Sequence, residues 1–186
     1  MKFDIVLADP PWEFETWSDK GRGRSPNYPL MDLKDIMELP VSDITSDNCI
    51  LFLWGVNPML RSLINVMEAW GFTYKTKAFC WVKKNKVADT AFMGLGYWTR
   101  ANPEDCWLGT KGSPVRVSKS VKQLVVTRLK EHSEKPLIVK KRIVQLMGDL
   151  PRIELFASEV TAGWEALGYD IDGRDIRESI HDFISG

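Results

Sequence analysis

The sequence predicts an open α/β fold: a mostly parallel sheet with helices on both faces. Three observations lead there. The runs Ile5–Ala8 and Asn48–Val56 are short and nearly unbroken in apolar residues, the pattern of strands buried on both faces. Between runs of this kind lie segments whose apolar residues recur at helical spacing, so strand and helix alternate along the chain. At 186 residues and 44% hydrophobic content, the chain can fill one sizeable core and not comfortably two, so residues 1–186 read as a single domain.

The first strand ends abruptly at Asp9-Pro10-Pro11-Trp12. Two prolines stop strand and helix alike, which leaves the Asp9 carboxylate at the carboxyl end of a buried strand, where open α/β sheets bind ligands. The Pro10 carbonyl and the Asp9 carboxylate are then two acceptors side by side, with the face of Trp12 beside them. That arrangement suits a planar ligand carrying an NH2 group, such as adenine with its N6 amine. An Asp-Pro turn beside a packed Trp is the plainer reading. The whole tetrapeptide, however, arises by chance in only about one chain in several thousand.

Glu13 to Leu30 is rich in Gly, Ser, Arg and Pro and reads as a long loop, with Trp17 and Tyr28 as stacking faces and Lys20, Arg22 and Arg24 as local charge. Asp32 to Leu39 is a short helix stopped by Pro40. After the Asn48–Val56 strand, Pro58 opens a helix with Leu60, Leu63, Ile64, Met67 and Trp70 on one side, ended by Gly71, and Phe72 to Val82 follows as a strand. Lys83 to Pro103 is a second loop that combines a basic start with Gly94, Gly96, Tyr97, Trp98 and Arg100. Its Gly-x-Gly lacks the third glycine and the following helix of a dinucleotide fingerprint. Glu104 to Gly109 is a strand, and a polar stretch reaches Val126. Pro136 opens a helix with Val139, Ile143, Leu146 and Met147 on one face, so Lys135 stands at a helix amino terminus, where anions are favoured. Arg152 to Phe156 is a strand, Thr161 to Leu167 a short helix, and Gly168 to Asp172 an acidic strand end suited to a ribose. Asp175 to Ile184 is a closing helix.

Asp9-Pro10-Pro11-Trp12 resembles the catalytic motif of amino-methylating, S-adenosylmethionine-dependent methyltransferases. Leu51-Phe52-Leu53-Trp54, Gly96-Tyr97-Trp98-Thr99-Arg100, Glu104, His132-Ser133-Glu134-Lys135-Pro136, Ile153-Glu154-Leu155-Phe156 and Gly163-Trp164 extend the resemblance to one branch of them. That branch is the family of the mRNA N6-adenosine methyltransferase catalytic subunit and its phage and bacterial relatives. The similarity runs from Asp4 to about Asp175. It implies a Rossmann-like class I methyltransferase fold with circularly permuted motif order, because the amine-methylating motif precedes the cofactor strand. It also implies S-adenosylmethionine as cofactor and the N6 amine of adenine as acceptor; a small chain with two basic-aromatic loops puts DNA foremost, with RNA as the runner-up. A catalytically silent nucleic-acid-binding partner of an active methyltransferase is the alternative from another class. By the resemblance Asp9, Pro10, Pro11 and Trp12 are catalytic. Asp9, Lys135, Glu154, Leu155, Phe156 and Asp170 hold the cofactor, with Asp172 competing for the ribose. Trp12, Tyr28, Trp98, Arg100 and Glu104 meet the nucleic acid through substrate loops at about 13–31 and 83–103. Ser158 and Tyr169 depart from the family, which commonly has Arg and Asn there.

Lys plus Arg and Asp plus Glu each number 25, so bulk charge does not advertise nucleic-acid binding, and any basic surface is local. No apolar run reaches the ~20 residues that cross a bilayer, and the chain opens directly into a strand, so a cytoplasmic protein is expected. Cys49, Cys80 and Cys106 lie far apart without metal-ligand spacing, so neither a metal nor a disulfide is expected. Oligomeric state, monomer or dimer, is not encoded in any of these features.

Overall fold

The computed structural model describes residues 1–12, 31–96, 98–130 and 134–186. Its strands are β1 (Phe3–Ala8), β2 (Thr45–Gly55), β3 (Thr73–Lys84), β4 (Glu104–Lys111), β5 (Leu124–Arg128), β6 (Arg152–Leu155) and β7 (Glu165–Leu167). They form one seven-stranded sheet in the order β5-β3-β4-β2-β1-β6-β7. Every neighbouring pair is parallel except the two made by β4, which runs against β2 and β3. The expected α/β, Rossmann-like, mostly parallel sheet is therefore present, with the strand that carries Asp9 in its interior and β6 and β7, from late in the chain, beside it.

Strand pleat sorts the apolar side chains into two layers, because successive residues point to opposite faces. Val6 and Ala8 of β1 join Cys49, Leu51 and Leu53 of β2 on one face. Ile5 and Leu7 join Ile50, Phe52 and Trp54 on the other. The first face is covered by α1 (Leu33–Met37), α2 (Val41–Ile44), α3 (Leu60–Ala69) and α6 (Ile176–Ser185), through Ile36, Val41, Ile44, Leu63, Val66, Met67, Ile176 and Ile180. Trp70, at the end of α3, donates its indole N–H to the Ile36 carbonyl at 2.8 Å and ties α3 to α1. The second face is covered by α4 (Ile138–Met147), through Val139, Ile143 and Met147. Asp175 caps α6, its carboxylate accepting from the Arg177 backbone N–H at 2.8 Å.

Three expectations need correction. Thr161 to Leu167 is not a helix: Gly163 takes a left-handed φ of +78° in a turn, and Glu165–Leu167 pairs with β6 as β7. Backbone pairing with a buried strand outweighs the weak helical pattern of so short a segment. The acidic stretch that follows is not a strand end but a single helical turn, α5 (Tyr169–Asp172). The polar stretch before Arg128 contains β5, an edge strand in which only Val125 is buried and whose apolar run, Leu124-Val125-Val126, is just three residues long. In addition, β4 lies between β2 and β3, which therefore run the same way without touching.

Candidate active site

Parallel strands end together, so their carboxyl-terminal residues share one edge of the sheet. Asp9 follows β1 there, Trp54 lies near the end of β2, Lys83 near the end of β3, and Glu154 near the end of β6. Because β4 is reversed, its first residue reaches the same edge: Glu104 pairs with Trp81, and Asp105 with Gly55. The loop before α4 brings Lys135 across this edge.

The result is a compact charge cluster. Lys135 Nζ donates to Asp9 Oδ2 at 2.6 Å and lies 3.3 Å from Glu104 Oε2. Lys83 donates to the other Glu104 oxygen. Lys135 also sits 5.5 Å from the centre of the Trp54 ring, a cation–π contact. Burial pushes the Asp9 carboxyl above its ordinary value, and Lys135 offsets only part of the effect. Burial pushes Glu104 the same way, but Lys135 and Lys83 together hold it below the usual carboxylate range. Burial alone would lower Lys135; its two carboxylates more than reverse that, so it stays ionised.

The tetrapeptide is packed firmly. Pro10 and Pro11 are buried, and the Pro10 carbonyl accepts the Trp12 backbone N–H at 2.8 Å in a tight turn, which leaves its second lone pair. Trp12 is 8% exposed, its indole N–H bonded to the Trp54 carbonyl at 3.0 Å, so its ring belongs to the core rather than to an open stacking face.

Beside the cluster opens a shallow cleft lined by Leu7, Asp9, Trp54, Lys135, Val139 and Glu154, with Phe156 and Lys140 among the remainder. Phe156 has φ +61°, the only left-handed residue other than glycine among the described residues, a costly conformation found most often at ligand sites. Leu155 is fully buried, and its side chain does not line the cleft; its carbonyl faces the Asp9 N–H at 3.5 Å. Asp170 is exposed on α5 and outside the cleft lining. Gly168, two residues before it, packs so tightly on the backbone after Phe156 that a Cβ would lie 2.4 Å from the Ala157 carbonyl oxygen. Asp172 instead accepts from the Arg174 N–H and the Ser179 hydroxyl.

Trp98 is 89% exposed, and Arg100 donates to the Met93 carbonyl at 3.0 Å. Tyr28, with Trp17 and the cations of the first loop, and His132 lie outside the described residues. The structure brings Asp9, Glu104, Lys135, Glu154 and Phe156 to one edge of the sheet; sequence reasoning left out Lys83, Lys140 and, as a cleft residue, Trp54. Position at a strand end was the available signal for Trp54.

A cation, carboxylates and an apolar floor lining one cleft suit a ligand bearing a carboxylate, donor groups and an aromatic base, which is the donor pattern of S-adenosylmethionine. The fold is that of an α/β, Rossmann-like methyltransferase, and methyltransferases of the family to which the chain belongs use S-adenosylmethionine as methyl donor. The chain belongs to the MT-A70 family, whose pattern matches residues 3–170. It is 33% identical to the Type II methyltransferase M.MunI of Mycoplasma sp over 94% of this chain and 80% of that protein. It is 28% identical to the N(6)-adenosine-methyltransferase catalytic subunit METTL3 of Homo sapiens, over 92% of this chain and 29% of that protein. An MT-A70-like N(6)-adenosine-methyltransferase of Arabidopsis thaliana is 27% identical over 92% of this chain and 24% of its own length.

Proposed function

We propose that residues 1–186 form one catalytic domain that methylates the N6 amine of adenine in DNA. The observation that carries this reading is the acceptor pair at the end of β1, the Asp9 carboxylate and the second lone pair of the Pro10 carbonyl, set beside a cleft with a lysine at its rim. S-adenosylmethionine supplies an electrophilic methyl group there. Lys135 is the cation for its carboxylate, Glu154 and the Phe156 backbone form the wall against it, and Asp170 is the ribose acceptor. Asp9 and Pro10 each accept one amine N–H, which turns the nitrogen lone pair out of the adenine ring and toward the methyl. Transfer would break the S–CH3 bond and leave S-adenosylhomocysteine, and Asp9 would stabilise the positive charge the nitrogen gains until an amine proton is lost to solvent. Trp12 fixes the Trp54 backbone beneath the site. Trp98, Arg100 and Tyr28 hold the strand around the target, and Glu104 stands at the base.

The choice of DNA rests on coverage. The chain spans four-fifths of a Type II methyltransferase but only about a quarter of the adenosine methyltransferases it matches. Transfer of labelled methyl to matched DNA and RNA oligonucleotide pools, single-stranded and duplex, tests it. Incorporation into DNA at adenine N6 is expected, and a product confined to RNA overturns the DNA assignment.

A further inference from the structure

Lys140 is 8% exposed, on the face of α4 that also carries Val139 and Ile143. Its ammonium lies 2.7 Å from Glu154 Oε2, donates to Thr161 Oγ1 at 2.7 Å, and stands 4.0 Å from Glu159 Oε1. A lysine buried this way is a poor route to stability, since an apolar residue of similar volume packs at least as well without desolvating a charge. What the contacts do is join three elements at one wall of the cleft: α4, the end of β6, and the turn that leads to β7. Lys140, Glu154 and Glu159 all line that cleft.

We infer that Lys140 is a positioning residue for cofactor binding: it holds the Glu154 carboxylate ionised and fixed at the cleft wall, where it accepts from donor groups of the cofactor. The inference rests on the cofactor reading of the cleft. The groups facing Glu154 explain why a cation is required. Burial raises the Glu154 carboxyl, Asp9 at the end of β1 and Glu159 in the turn raise it further, and Lys140 is the cation that pulls it back. Without Lys140 the carboxyl takes up a proton at higher pH and offers an O–H where the ligand needs an acceptor.

Titration calorimetry with S-adenosylhomocysteine between pH 6 and pH 8.5 tests this. Lys140→Met should weaken binding about tenfold near neutrality, and the deficit should grow as pH falls. Lys140→Arg, which keeps the charge, should restore both affinity and the wild-type pH profile. In a Glu154→Gln background the Lys140→Met change should cost little more. A Lys140→Met deficit that is constant with pH, or equally large in the Glu154→Gln background, overturns the inference and leaves Lys140 a packing residue. Thr161→Val, which removes only the second anchor, should shift the profile the same way by less, so the conclusion does not depend on the Met variant folding. Failure of the wild type to bind S-adenosylhomocysteine defeats the cofactor reading itself; wild-type binding with unchanged Lys140 variants defeats only the role given to Lys140.

Discussion

Asp9 has two demands on it that pull its ionisation in opposite directions. Burial favours the neutral acid, whereas the contact with Lys135 favours the carboxylate, and so does the role proposed for it, steadying a nitrogen cation. Methyl transfer should therefore fall as the medium is acidified, beginning at a higher pH than an unperturbed aspartate would give, because the raised group takes up its proton earlier. Single-turnover rates across pH check this. In the same assay Asp9→Asn should lower transfer by at least ~10²-fold, the usual cost of one preorganised electrostatic contact, with S-adenosylhomocysteine affinity changed far less. Trp12 leads to a different expectation. With its ring in the core, Trp12→Ala should cost about 3–5 kcal/mol of stability, while Trp12→Phe, which leaves the Trp54 carbonyl without its partner, should cost about 1 kcal/mol. Denaturant melts separate the two. Asp9, Glu104 and Lys135 were legible beforehand because each stands in a motif or at a strand or helix boundary. Lys83 was not, because it opens a run of lysines that reads as solvated surface, and Lys140 was hidden within an ordinary amphipathic helix.

The loop between β3 and β4 is better anchored than its glycines suggest. Asn102 reaches back across its root, accepting from the Lys83 backbone N–H at 2.9 Å and donating to the Lys83 carbonyl at 2.8 Å, with a further bond to the Phe92 carbonyl. Its amide thus imitates one rung of an antiparallel ladder and fixes Lys83 where it meets Glu104. Asn102→Ala should raise the KM for nucleic acid several-fold and leave S-adenosylhomocysteine affinity near that of the wild type, which steady-state kinetics and calorimetry distinguish. Strands β1, β2 and β6 and helices α3, α4 and α6 were readable because burial on one or two faces writes a strong period into the sequence. The segments that were misread, β5, β7 and α5, are each five residues or fewer and lie at or beyond the sheet edges. Pairing to a neighbour decides their form, and pairing leaves little mark on local composition.

Across the whole molecule, the reversal of β4 brings Glu104 to the edge of the sheet that already carries Asp9, Lys83, Lys135 and Glu154. It also sends the far end of that same strand to the opposite edge, about 23 Å away at the usual rise per residue. The turn there is exposed at Ser113, whose backbone N–H is held by the Asn48 side chain at 2.8 Å. This gives the protein a natural point of attachment. Burial pushes the Cys49 thiol up to about 12, and the Cys80 and Cys106 thiols are raised as well. A thiol introduced by Ser113→Cys should therefore outpace all three in reaction with a maleimide near neutral pH, and mass spectrometry of a briefly labelled sample would show whether it does. A dye or surface linker placed there would leave the opposite rim, with its charge cluster, facing solution, so that every tethered molecule presents the same side to a passing nucleic-acid strand.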